Sequence, residues 1–366
     1  MLVVSGSVGA GHDGAANELA SRLRAAGVHV DVRDYLHAVP RWYRVVLRRG
    51  YTVGVQRTGF LVEWLFVSIE QSRLVRGIVV ASCRMGDGAV RRWLRDRDYD
   101  AVVSTYPLAS QTLGKLRERG HLTAPAVTYL ADPAAHPIWV HQSVDEHLTV
   151  TEASAEHGQR AYGVPMRAAG PLVSERFATG VTAARRRAAR DELGLPHDTR
   201  VALIVTGSLG LGDVEHSART VIEAGLRPLV LCGRNRELRE RLSRIPGVVA
   251  LGWRDDVHEI MHVVDVLVHN AGGLSLTEAL VAGLPAVSYR CIPGHGRANA
   301  AVLDGAGLAP WAHDRDQFVR ALQDCAGTRR ALLPPDADPA QVILDLIEVS
   351  SPDSPAVSHR QQRRTA

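Results

Sequence analysis

Apolar and polar positions along this chain follow two rhythms. Short runs rich in valine, leucine and alanine occupy residues 2–4, 28–32, 101–104 and 126–130. Between them apolar residues recur at helical spacing, as over residues 14–26. The same alternation begins again at 201–205 and continues through 228–232, 248–251, 266–269 and 285–289, with helices predicted over 237–245 and 275–282. Strands that alternate with helices predict parallel sheets covered on both faces. Each half opens with a strand and a glycine-rich turn, Gly6-Ser7-Val8-Gly9-Ala10-Gly11 and Gly207-Ser208-Leu209-Gly210-Leu211-Gly212. The pattern predicts two doubly wound α/β domains, each with a crevice where its strand order reverses. The junction is placed at Gly170-Pro171-Leu172-Val173. This gives an N-terminal domain over 1–169, a C-terminal domain over 170–349 and a polar, unpatterned tail over 350–366 that is expected to be disordered.

Composition narrows the class. The chain has 366 residues, a formal charge of +4 and a pI near 9.0. Its basic residues are almost all arginine and form no dense block, which argues against a nucleic-acid-binding arm. Cys83, Cys232, Cys291 and Cys325 are scattered, with no CxxC pair, as expected of reduced thiols in a cytoplasmic protein. Neither a signal peptide nor an apolar run of the ~18 residues that span a bilayer is evident.

The opening loop reads GxxGxG rather than the dinucleotide order GxGxxG. Asp31 nevertheless lies where a ribose-binding acid falls in that fingerprint. Gly6 and Gly11 have the spacing of a P-loop, but His12-Asp13 stand where Lys-Ser/Thr belong. What remains is a backbone open to close approach at Gly11 and an imidazole at a helix start. The helix dipole disfavours positive charge there, which suits a proton acceptor. A helix-capping His12 is the plain alternative. Asp132 ends a predicted strand, with His136 and Trp139 in the proline-fixed loop that follows, a common setting for functional side chains. His136, His141 and His147 are too irregularly spaced for a closed metal site. His258-Glu259-Ile260-Met261-His262 matches HExxH, but its short helix runs at once into a strand, so no metal is expected.

Residues 269–300, HNAGGLSLTEALVAGLPAVSYRCIPGHGRANA, are the most informative. A strand ends at Gly272-Gly273 and a helix follows. Its first turn offers free N–H groups and the hydroxyls of Ser275 and Thr277, suited to a diphosphate, and Glu278 could take both hydroxyls of a ribose. A capped helix with a surface glutamate is the structural alternative. Residues 41–76 hold six of the chain's 18 aromatic residues, among them Trp42, Tyr43 and Trp64, interleaved with arginines including Arg48 and Arg49. Apolar wedges beside cations suit an anionic bilayer surface. An aromatic core helix with solvated arginines fits the same pattern.

Four segments together, SVGAGHDGAANEL, LADPAAHPIWVHQSVDEHLTV, GWRDDVHEIMHVVDVLVHNAGGLSLTEALVAGLPAV and IPGHGRANA, resemble glycosyltransferase family 28. The likeness is strongest to its monogalactosyldiacylglycerol synthase and processive diacylglycerol glucosyltransferase branch. It extends more distantly to the peptidoglycan lipid-intermediate N-acetylglucosaminyltransferase. The resemblance implies a GT-B fold, two Rossmann-like domains facing a central cleft. It also implies an inverting, metal-independent transfer of a hexose from a UDP-sugar to a lipid acceptor such as diacylglycerol. No cofactor is implied, and the expected setting is the inner face of the cell membrane, held peripherally.

By that resemblance His12 is the base or a phosphate contact, and Asp132 the alternative base. Gly11, His136 and Trp139 lie on the acceptor side. Gly207 and Ser208 border the diphosphate, Trp253 flanks the uracil, and Gly273, Ser275, Thr277 and Glu278 hold the diphosphate and ribose. His295 and Asn299 fall at the sugar-contacting turn. The family often reads Pro-Gly-Gln-Glu where this chain has Pro293-Gly294-His295-Gly296, so the donor sugar is left open. A UDP-N-acetylglucosamine 2-epimerase-like isomerase and a non-catalytic nucleotide-sugar-binding protein share the architecture and stand as alternatives.

Overall fold

The computed structural model describes residues 1–271, 273–330, 333 and 337–350. Gly272 and the tail from 351 lie outside the described residues, as do the side chains of Tyr51 and Arg57 in the aromatic segment. The first half runs β1 (Leu2–Ser5), α1 (Ala10–Ala25) and β2 (Asp31–Asp34). A helical excursion follows: α2 (Arg41–Val45), α3 (Tyr51–Arg57), α4 (Gly59–Gln71), α5 (Arg73–Ser82) and α6 (Arg84–Asp96). It then continues through β3 (Val102–Ser104), α7 (Pro107–Glu118), β4 (Ala126–Leu130), β5 (Glu146–Thr149), α8 (Glu152–Tyr162) and β6 (Arg167–Ala168). The second half opens with α9 (Ala183–Glu192), β7 (Val201–Val205), α10 (Val214–Glu223), β8 (Arg227–Leu231), α11 (Arg236–Ser243) and β9 (Val249–Leu251). After these come α12 (Val257–Val263), β10 (Val266–His269), α13 (Leu274–Val281), β11 (Ala286–Tyr289), α14 (His295–Gly305), β12 (Trp311–Ala312), α15 (Arg315–Cys325) and α16 (Pro339–Ser350).

Two six-stranded sheets result, ordered β2-β1-β3-β4-β5-β6 and β12-β11-β10-β7-β8-β9, with every pairing parallel. Strand order reverses between β1 and β3 in the first sheet and between β7 and β10 in the second. The crevices beyond the carboxyl ends of those strands are where such sheets hold ligands. The central strands are buried on both faces. Leu2 and Val4 point into one core while Val3 points into the other.

Most predicted elements are present, and the differences have physical causes. The helix α1 starts at Ala10, four residues before the expected start at residue 14, because Gly9 takes an extended cap (φ −138°, ψ 166°) and the turn closes directly behind it. This puts His12 inside the first helical turn. The strand expected at 28–32 lies at Asp31–Asp34, because pairing with β1 sets its register (Leu2 opposite Asp31, Ser5 opposite Asp34). The strands β5, β6 and β12 were not anticipated. Two of them are only two residues long and exist as edge additions to sheets already formed.

The division at residue 170 separates the sheets but not all the helices. The last helix, α16, expected with the second domain, packs back on α1, with Ile343 fully buried. Arg22 of α1 fixes this return. Its guanidinium donates to the Val173 carbonyl at 2.6 Å and reaches Asp338 at 3.1 Å. The domains also meet directly at Gly14, where a Cβ would stand 2.4 Å from Leu274 Cδ2.

Gly6 has a local packing reason. A Cβ there would fall 2.3–2.5 Å from three ring carbons of the buried Tyr106. Gly6→Ala is therefore expected to destabilise the protein by about 1–3 kcal/mol through overpacking, read as a lowered midpoint in chemical denaturation. Gly9→Ala, with open space at that position, should change it far less.

Candidate active site

The two crevices face each other, and their loops touch. On the N-terminal side His12 lies between two aromatic rings, edge-on to Tyr106 at 5.3 Å between centroids and tilted against Trp139 at 5.6 Å. Its Nδ1 is buried and has no hydrogen-bond partner among the described residues. The carbonyl of His12 accepts from Thr105 Oγ1 at 3.1 Å, tying the start of α1 to the end of β3. Asp132, just past β4, accepts from Trp139 Nε1 at 3.3 Å. Trp139 itself is 2% exposed and packs with Leu130, Ala135, Ala155 and Met166. It is thus a wall that orients Asp132 and His12, whereas an acceptor contact was expected of it. His136 stacks on Phe66 at 4.2 Å. Burial lowers its pKa to about 4, so it is a neutral ring.

Asn299 differs from expectation. It was assigned to the donor sugar, yet it is fully buried and joins the two domains. Its Oδ1 accepts from the Ala134 amide at 2.9 Å. Its Nδ2 donates to the Ala271 carbonyl at 2.9 Å and lies 3.4 Å from Asp132 Oδ1. A buried amide needs all its partners, and here loop ends of both domains supply them. His295, one turn earlier on α14, is close enough to feel the charges of Asp132 and His12. Burial lowers its pKa. The Pro293–Gly294 turn therefore brings an imidazole near Asp132 and His12.

In the C-terminal half α13 begins at Leu274, with Gly273 as a cap that has no side chain to offer. Ser275 lies in the first turn, and Thr277 is buried behind it. The carboxyl group of Glu278 accepts no hydrogen bond from the described residues. Burial raises its carboxyl pKa to about 8. Across the crevice the second glycine loop curls through left-handed conformations at Gly207, Gly210 and Gly212, and the Ser208 carbonyl accepts from the Arg234 amide at 3.0 Å. Trp253 is 47% exposed and carries the Arg234 guanidinium 4.7 Å above its ring, a surface onto which a planar base can stack. A cavity of about 740 Å³ opens farther along, lined by Gly212, His216, Arg290, Pro293, Arg297 and His313 among others. It borders the Pro293–Gly294 turn and does not include Glu278 or Trp253.

Among the described residues of 42–78 ten large apolar side chains are exposed, including Trp42, Phe60, Trp64, Leu74 and Ile78. Two expected members of that surface do other work. Tyr43 turns inward, its hydroxyl 2.6 Å from Ser82 Oγ. Arg48 is drawn to the opening loop, donating to the Ser7 carbonyl at 3.2 Å and its hydroxyl, with Asp34 at 3.7 Å. Arg49 is exposed. No helix among the described residues is long and apolar enough to cross a membrane.

Other motifs are accounted for. Asp31 is held by the Tyr99 hydroxyl at 2.7 Å, which lowers its pKa. Glu259 of the HExxH stretch is ion-paired with Arg185. Among the described residues no group of three or more His, Cys, Asp or Glu side chains is placed to hold a metal ion. Tyr106 and Glu63 were not anticipated, and Phe66, expected among the aromatics of the membrane-facing segment, turns instead to His136 and Gly294. Tyr106-Pro107 repeats the strand-end pattern of Asp132-Pro133, which was the available signal. Nothing in the sequence ties residues 63 and 66 to the second domain.

Solved structures of low identity show the same fold. MurG of Acinetobacter baumannii superposes with a TM-score of 0.57 at 18% identity, over 95% of this chain and 98% of that one. The glycosyltransferase SnogD of Streptomyces nogalater gives 0.59 at 20% identity, over 94% and 99%. Os79 from O. sativa, solved in complex with UDP, gives 0.56 at 12% identity, over 88% and 90%. The chain has the GT-B fold.

The family resemblance stands as well. Residues 12–167 match the family model for monogalactosyldiacylglycerol (MGDG) synthase, and residues 214–327 match that for glycosyl transferases group 1. The processive diacylglycerol beta-glucosyltransferase of Bacillus subtilis is 24% identical over 65% of this chain and 64% of its own length. That of Bacillus cereus strain G9842 is 22% identical over 95% and 92%. The match spans just under two thirds of the length of the Bacillus subtilis relative.

Two outcomes follow from this geometry. Asn299→Ala should cost about 1–3 kcal/mol, because it leaves the Ala134 amide without its buried acceptor; equilibrium denaturation reads this. A carboxyl with a raised pKa keeps its proton in the fold after the unfolded chain has lost it, so stability falls as pH rises from the ordinary carboxylate range through about 8. In Glu278→Gln that component is absent. Melting temperatures from about pH 5 to pH 9 should therefore decline less in the variant.

Proposed function

We propose that this protein is a hexosyltransferase that moves a sugar from a UDP-sugar to the hydroxyl of a lipid such as diacylglycerol, at the surface of an anionic membrane. The observation that carries the reading is the Nδ1 of His12, buried and unpartnered among the described residues, on the first turn of a helix whose Gly11 and Gly14 lie against Leu274 at the start of α13. A buried imidazole nitrogen without a partner is costly unless a ligand hydroxyl completes it. The MGDG synthase family match over residues 12–167, the diacylglycerol glucosyltransferase relatives and the UDP held by Os79 support the choice of lipid acceptor and UDP donor.

In this reading the acceptor hydroxyl binds beside His12 and gives up its proton to Nδ1 as its oxygen attacks the anomeric carbon. The bond to the UDP oxygen breaks from the opposite face, so the configuration inverts. UDP leaves with the bonding pair, and the free N–H groups at the start of α13 stabilise its charge, with no metal or cofactor assigned a role. Glu278 takes the ribose hydroxyls, and Trp253 offers its ring to the uracil. Asp132, held by Trp139 and Asn299, orients the acceptor or shares the base role. The exposed aromatic and aliphatic side chains of residues 42–78, with Arg49 among them, hold the enzyme peripherally on the cytoplasmic face of the membrane.

A panel of UDP-sugars offered with diacylglycerol in anionic vesicles, with UDP release as the readout, tests this directly. Transfer to the lipid is expected. Sugar isomerisation without an acceptor, or UDP binding without release, would favour the isomerase or the non-catalytic alternative. His12→Ala should lower turnover by about 100- to 10,000-fold, the range of a general base, with UDP affinity by calorimetry unchanged. Trp64→Ser combined with Phe60→Ser should reduce sedimentation with anionic vesicles.

A further inference from the structure

We propose that α4 couples the membrane-facing surface to the sugar-contacting turn of the other domain, with Glu63 as the positioning residue that carries the coupling. The proposal rests on the membrane reading above and extends it to control of the site.

The helix has two working faces. Phe60, Leu61, Trp64 and Leu65 are 45–73% exposed. Gly59, Val62, Glu63 and Phe66, on the opposite side, meet the C-terminal domain. Glu63 Oε2 accepts from the Gly294 amide at 2.6 Å and lies 3.6 Å from Arg297. A Cβ on Gly59 would stand 3.0 Å from Pro293, and one on Gly294 would stand 3.1 Å from Phe66. Val62 joins Val55, Leu209, Leu211 and Ile292 in a small apolar cluster that spans the cleft. Only Ile69 of the 13 residues of α4 is buried, so the helix has little core of its own to fix its position.

The turn it holds needs an outside support. Gly294 has φ 75° and ψ −118°, open only to glycine, and supplies no side-chain cap to α14. Glu63 provides the missing acceptor from across the cleft, with a negative charge at the positive end of the α14 dipole. The turn continues into His295 and, one helical turn on, into Asn299, which bonds to the loop carrying Asp132. A shift of α4 therefore moves the sugar-side turn and the orientation of the acid together. Residues 41–82 contain seven arginines and two glutamates, and one of those glutamates is Glu63, turned to the cleft. An anionic bilayer is thus the occupant that the charge and the apolar outer face both favour, and seating the outer face selects one position of the inner face.

Amide hydrogen exchange on the whole protein, without nucleotide sugar, tests this. The probe is vesicles of phosphatidylglycerol in phosphatidylcholine, with sedimentation measured in parallel. Wild type is expected to sediment with the vesicles and to exchange more slowly at residues 294–299 when bound. Glu63→Ala should sediment equally but lose that protection, on the order of tenfold for a hydrogen bond to a charged group. Glu63→Gln, whose amide oxygen still accepts from Gly294, should retain most of it, which separates positioning from a folding defect. Bound wild type with unchanged exchange at 294–299 would overturn the coupling and leave the membrane reading intact, as would full protection in Glu63→Ala. Failure of wild type to sediment would overturn both.

Discussion

The arrangement depends on a buried amide. Asn299 reaches from the second domain into the loop after β4 and bonds to the backbone on both sides of the cleft, with Asp132 against its nitrogen. The two sheets share no strand, and side-chain packing between them tolerates sliding, so hydrogen bonds such as those of Asn299, Arg22 and Glu63 set their relation. Hydrogen bonds in a dry interface fix distance and angle together. Because the Asn299 side chain is shared, Asp132 of the first domain is oriented by a residue of the second.

Around that point the contact between domains is of three kinds. Glycine allows it at Gly14, where α1 comes against Leu274 at the very start of α13. Arginine ties it at Arg22, which reaches both the junction at Val173 and the returning α16. The aromatic excursion seals it through Phe66, against Gly294, and through Val62. The start of α1, which carries His12, and the start of α13, which offers its N–H groups, are thereby held at one place. Chemistry that needs a proton acceptor and an anion site within reach of one substrate follows from that juxtaposition.

The glycines of the opening loop show how a motif can be read correctly in kind and differently in cause. Their number signals close approach. Gly6 makes room for the Tyr106 ring, and Gly11 and Gly14 lie against Leu274, so much of the approach is protein against protein, with open space at Gly9. In the same way Trp139 and Asn299 fall at the site but act through Asp132 and the domain interface.

The chain's own order of residues determined the two doubly wound halves and the positions of His12, Asp132, Ser275 and Glu278 at strand ends or helix starts. Those features are local: apolar runs make strands, glycine and proline end them, and a doubly wound sheet places functional groups at carboxyl ends. Tertiary structure alone decided that Asn299 would join the domains, that Arg48 would turn to the opening loop, that α16 would return to α1 and that Glu63 would cap a helix 231 residues away. Each of these joins groups far apart in the chain, and no local periodicity encodes such a pairing. Which face of an amphipathic helix meets a partner, and which partner, is fixed only when the whole chain has packed.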